Sequence, residues 1–134
     1  MPVNDYFDPR NQKAAELVFP FGDASVFTVP YAANIALELF NTKSYVTVEQ
    51  LTGVSDISVD FSQEPNKSLY VGSELSITLT ADATNRDVTF AAGFQTDQTV
   101  APGGVITVTA NKTVKTFFEY DGTAFVLKSV ISID

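Results

Sequence analysis

Asp56 and Asp60 lie four residues apart, with Ser58 between them, in a stretch that alternates like a strand. Residues i and i+4 of a strand point to the same side, so both carboxylates face one way. Paired carboxylates are the machinery of glycoside hydrolysis, which needs its two groups about 5–9.5 Å apart. A strand rises about 3.4 Å per residue, which sets these two Cα atoms about 13–14 Å apart. That is a poor fit, and a solvated strand face is the simpler reading. A second cluster, Asp82-Ala-Thr-Asn-Arg-Asp87, gathers several side-chain oxygens in one short loop. A dedicated calcium loop supplies 6–8 oxygens at regular spacing around a glycine, and that pattern is missing. The expected role is a turn in which Asp82 or Asn85 bonds the local backbone.

The wider inventory removes most other chemistry. The chain has no cysteine and no histidine, which removes disulfides, thiolate attack, imidazole acid–base work and the usual zinc sites. No cofactor and no metal are expected, and no set of residues reads as an active site, so the expectation is a protein that is not an enzyme. Sixteen acidic residues against eight basic ones give a net charge of −8. Such a charge repels nucleic-acid phosphates and anionic membranes, so neither is expected as a partner. A sugar platform would use exposed flat aromatics; there is no Trp, but Tyr31, Tyr45, Tyr70 and Tyr120 are available. Phe125 is expected in the core.

The elements that must position these groups are strands. Apolar residues alternate with Thr, Ser or charge in Leu75–Ala81, Val105–Thr109 and Lys115–Leu127, the period of half-buried β-structure. The pattern predicts strands over Ser25–Val29, Asn34–Phe40, Tyr45–Leu51, Asp56–Ser62, Glu74–Ala81, Asp87–Ala91, Val105–Ala110, Val114–Tyr120 and Ala124–Ser132. Asp121-Gly122 is expected to supply the positive-φ pair of a tight hairpin. With 134 residues, 45% of them hydrophobic, one domain can bury about two-thirds of its unfolded surface. The prediction is an all-β, antiparallel β-sandwich or jelly-roll-like domain over residues 24–134. Polar positions on these strands are mostly Thr and Ser (Ser76, Thr78 and Thr80 on one face, Thr107 and Thr109 on another), which suits a solvated face or stacking against a second copy.

Residues 1–23 differ. Asp8-Pro9 can start a short helix through Leu17, and Phe19-Pro20-Phe21-Gly22 breaks it. Tyr6, Phe7, Phe19 and Phe21 make this a short helical or extended arm, which either covers an open end of the sheets or docks on a partner. The first ten residues are polar and acidic, unlike a secretory signal.

The stretch Leu75-x-Ile-x-Leu-Thr-Ala-Asp-Ala-Thr-Asn-Arg-Asp-Val-Thr-Phe90, followed by Thr116-Phe-Phe-Glu-Tyr-Asp-Gly-Thr-Ala-Phe125, resembles a β-module of tailed-bacteriophage virion proteins. In that module a strand ending in Leu-Thr leads into a short Arg-x-Val-Thr-aromatic strand, and a Tyr-Asp-Gly-Thr hairpin closes it. The similarity runs from about residue 69 to 129, with Phe125 where Trp is frequent. The resemblance implies a virion structural protein assembled in the host cytoplasm. A capsid decoration protein, of cement or head-fibre-base type, is the first expectation. It would bind the major capsid protein or other virion proteins through Tyr6, Phe7, Phe19 and Phe21, as a homo-oligomer, by family habit a trimer. The alternative is a tail-fibre or baseplate domain that recognises a host glycan or protein.

Overall fold

The computed structural model describes residues 24–39, 41–61 and 69–133. Their ten strands are β1 (Ala24–Val29), β2 (Asn34–Leu37), β3 (Lys43–Val48), β4 (Ser55–Val59), β5 (Glu74–Thr80), β6 (Arg86–Phe90), β7 (Phe94–Gln95), β8 (Val105–Val108), β9 (Thr113–Tyr120) and β10 (Phe125–Ile133). Each strand expected from the alternation is present, within a few residues of its expected ends. The two-residue β7 is additional, too short to carry a period. The arm, with Tyr6, Phe7, Phe19 and Phe21, lies outside the described residues.

The strands form a six-stranded sheet in the order β1-β3-β5-β9-β10-β7 and a four-stranded sheet in the order β2-β4-β6-β8. As far as β9, odd strands enter the first sheet and even strands the second, and the chain winds as a flattened coil through β6; β10 then joins the first sheet beside β9. Each return lands parallel to the strand laid down before: β1 with β3, β3 with β5, β2 with β4, β4 with β6. Parallel neighbours need a long crossover, and here a strand of the opposite sheet serves as one. The antiparallel sense expected from sequence holds only where β5 meets β9, β9 meets β10 and β6 meets β8. The all-β class stands, and the hydrogen-bonding sense is mixed. The reason is physical: alternation fixes which residues face inward and carries no information on the direction of the neighbour.

The inward residues form one core. Leu37, Ile57, Val88 and Val108 come from the four-stranded sheet, and Val46, Leu75, Ile77, Leu79 and Phe118 from the six-stranded one. A buried hydroxyl within it is satisfied: Thr116 Oγ1 donates to the Ile77 carbonyl at 3.0 Å. Phe90, Phe94 and Phe118 meet edge-on or tilted, with centroids 4.9–5.3 Å apart, the geometry aromatic quadrupoles favour.

The β9–β10 hairpin closes through a four-residue loop, and its chemistry differs from the expectation. Only Gly122 has positive φ, at 101°. Asp121 acts through its carboxylate instead, accepting the N–H groups of Thr123 and Ala124 at 2.8 and 2.9 Å. Farther along β10 the pairing slips between Leu127 and Ser129, leaving Lys128 as a bulge that re-aims its side chain.

Candidate functional site

Four places on the described surface gather polar groups. Asp56 is exposed on the outer side of β4, with Ser58 and Asp60 following on that side. A flat strand face holds them in line without bringing them together.

The Asp82–Asp87 loop is spent on its own shape. Both carboxylate oxygens of Asp82 accept from the Arg86 guanidinium at 2.8 Å, and Thr84 N–H adds a contact at 3.2 Å. Asn85 Oδ1 accepts Ala110 N–H at 2.8 Å, which pins the loop to the end of β8, and Asp87 accepts the Thr107 hydroxyl at 2.6 Å. The expectation that Asp82 or Asn85 bonds the local backbone is met by Asp82, through the Thr84 N–H, while Asn85 reaches across to Ala110 instead. Among the described residues no cluster of three or more acidic, His or Cys side chains could hold a metal.

These bonds leave a mark in pH. The Arg86 hydrogen bond holds the Asp82 carboxyl below its ordinary 3.8. The Thr99 hydroxyl does the same for Asp97, and the Ala124 and Thr123 amides for Asp121. Each group releases its proton more readily when folded, so its ionised form favours the fold. That contribution is complete above the unfolded value and is lost as pH falls through the lowered folded values. Melting temperature is therefore expected to hold steady as pH falls toward about 4 as far as these groups are concerned, and to drop below it. Asp82→Asn should flatten the acid limb of the curve measured by circular dichroism.

A hollow of about 660 Å³ lies beside β7, lined by Phe90, Phe94, Gln95, Thr96, Asp97 and Gln98 among others. Its polar groups are largely committed to the loop that forms it. Asp97 accepts from both the Thr99 amide and its hydroxyl, Gln98 Oε1 accepts Gly103 N–H, and Thr96 Oγ1 donates to the Ala101 carbonyl.

The outer face of the six-stranded sheet is different. Register places Tyr45 of β3 beside Ser76 of β5, and Ser76 beside Phe117 of β9. A small residue between two rings leaves a trough, about 370 Å³ in volume, lined also by Glu74, Glu119 and Lys128. The next row along reads Lys43, Glu74, Glu119, and the bulged Lys128 reaches Glu119 at 3.5 Å. Tyr45 is 42% exposed, whereas Ser76 is 5% exposed because β5 is flanked on both sides. The Ser76 hydroxyl has no hydrogen-bond partner among the described residues. Tyr45 was recognisable beforehand only as one of several tyrosines. Glu74, Ser76, Phe117, Glu119 and Lys128 escape a reading of the sequence because only the β3-β5-β9-β10 order brings them together.

The remaining tyrosines fall elsewhere. Tyr31 donates to the Val54 carbonyl at 2.7 Å and packs on the core. Tyr120 donates to the Gly122 carbonyl at 3.0 Å, and Tyr70 stands exposed. No protein-family model matches this chain, and neither does any curated protein sequence.

Proposed function

We propose that this chain is a non-enzymatic virion structural protein, a capsid decoration protein of cement or head-fibre-base type that binds the assembled shell and stabilises it. The resemblance in residues 69–129 supports this reading, and one structural observation carries it. Both edges of the six-stranded sheet are open among the described residues. β1 pairs only with β3, and beyond Val126, β10 pairs only with β9. Edges are ordinarily guarded by charge, proline or bulges. β1 (Ala-Ser-Val-Phe-Thr-Val) carries no charge, and β10 beyond its Lys128 bulge carries none through Ile133. Val26 on β1 is 79% exposed; Ile131 and Ile133 on β10 are 49% and 40% exposed. All three lie on the same outer face, so edge-to-edge contact between copies would bring apolar side chains together.

In this reading the sheet edges associate copies, with a trimer as the expected form, and Tyr6, Phe7, Phe19 and Phe21 dock on the capsid by burying aromatic area. A protein that binds only the assembled shell stabilises it by mass action. Light scattering on the purified chain tests the first half: an oligomer is expected, reduced to monomer by Val26→Lys or Ile131→Lys. A wild-type monomer at all concentrations would remove self-association. Deleting residues 1–22 should abolish capsid occupancy, and unchanged occupancy would sink the arm's role.

A further inference from the structure

We infer that the Tyr45–Ser76–Phe117 trough binds a neutral hexopyranose unit of a glycan. This goes beyond the assembly role and does not depend on it.

Three features of the trough point to a sugar. The first is the Ser76 hydroxyl, nearly fully buried, lining the trough and without a hydrogen-bond partner among the described residues. A buried hydroxyl is ordinarily bonded, and a ligand hydroxyl seated between the two rings would complete it. The second is the pair of rings. Tyr45 is held out from β3 on one side of Ser76 and Phe117 from β9 on the other. An aromatic face suits the C–H face of a pyranose, while the polar tip of Tyr45 stays wet.

The third is the row of charge beside the rings. Glu74 and Glu119 are directly opposite in the antiparallel register, an arrangement that is unfavourable between like charges. Lys43, next to Glu74 in register, and Lys128, beside Glu119, balance it. Two carboxylates accept hydrogen bonds only, and an ammonium donates only. Together they match hydroxyls, which do both. The trough disfavours acidic ligands: Glu74 and Glu119 line it against Lys128 alone, in a chain whose net charge is −8, so uronates, sialic acids and phosphates meet net repulsion. The volume, about 370 Å³, falls within the range of about 300–1,000 Å³ typical of small-molecule sites. In the larger hollow beside β7, the Asp97 carboxylate and the Gln98 carbonyl already close their own loop.

The test is a nitrogen-15 NMR titration of the full chain with methyl glucoside, galactoside and mannoside, with glucuronate as the charged comparison. At least one neutral hexoside is expected to shift the amides of Tyr45, Ser76, Phe117 and Glu119 at about 50 mM, well above a millimolar Kd. Glucuronate should leave them in place. Tyr45→Ala should weaken the response about tenfold or more by removing the stacking face, and Ser76→Ala should weaken it while leaving the rest of the spectrum unchanged. No response to any neutral hexoside would overturn the proposal, as would equal shifts with glucuronate, or a titration that Tyr45→Ala and Ser76→Ala leave untouched. Oligomeric state does not enter this readout, so failure here and failure of the assembly reading are separately visible.

Discussion

Phe125→Ala is expected to lower stability by about 3–5 kcal/mol, the range for truncating a large buried aromatic. Phe125 is 1% exposed and, among the described residues, the largest fully buried side chain. Its ring lies 5.1 Å from Tyr120, and 6.4 Å from both Phe61 and Phe94. Its N–H donates to the Gly93 carbonyl at 2.8 Å, and its strand position pairs with both Tyr120 and Phe94. One side chain therefore ties the β9–β10 hairpin to β7 and to Phe61, two residues beyond β4. The cavity would open where several elements meet, so little can collapse to fill it. Domains of this kind have about 5–15 kcal/mol in total, and the loss would take a large share of that. Urea denaturation should show a lower midpoint with an unchanged slope. Phe125→Leu, which keeps much of the volume, should cost visibly less.

Gly104→Ala is the second large effect, and Gly103→Ala is its control. Both residues have left-handed backbone, with φ of 80° and 66°, which costs a non-glycine residue about 1–3 kcal/mol. A Cβ on Gly103 would meet nothing within 4 Å, whereas one on Gly104 would sit 2.8 Å from the Phe90 carbonyl oxygen. That oxygen cannot easily retreat. Phe90 ends β6, whose neighbours are β4 on one side and β8 on the other, and its ring packs on Phe94 and Phe118. Gly103→Ala should therefore show the backbone strain alone, and Gly104→Ala that strain plus displacement of a core strand. Thermal melts of the two variants should differ clearly, with Gly104→Ala lower. Equal melting temperatures would mean the loop absorbs the extra carbon.

How much was legible in the chain follows from the kind of information each feature needs. Alternation is local, so nine strands, the burial of Phe125 and the Asp82 turn could be read directly. Pairing is not local. Nothing between Val26 and Tyr45 says that their strands run parallel, and the trough exists only because Tyr45, Ser76 and Phe117 share one row across three strands. The same limit explains Ser76. Its outward position on β5 was predictable, but its burial depends on having β3 and β9 as neighbours. Asp121 shows a subtler miss. Asp-Gly signals a hairpin through two mechanisms, backbone φ and side-chain capture of amides, and here Asp121 uses the second.

The winding of the coil also sets an order of events in time. Tyr120 and Phe125 are paired strand neighbours close in sequence, so their hairpin can form quickly, in microseconds by analogy with isolated hairpins. Every parallel contact has to wait: Ala24 finds Lys43 only after β2 has crossed away, and Lys43 finds Glu74 only after a still longer excursion. Closing such loops spends chain entropy before any contact repays it, which places the domain among slow, high-contact-order folders. Among the described residues β1 pairs with a single neighbour, one of its faces exposed and the other half-buried. Among the described edge strands of four or more residues it is the one with no fully buried side chain, and so a place where the native state is expected to open early.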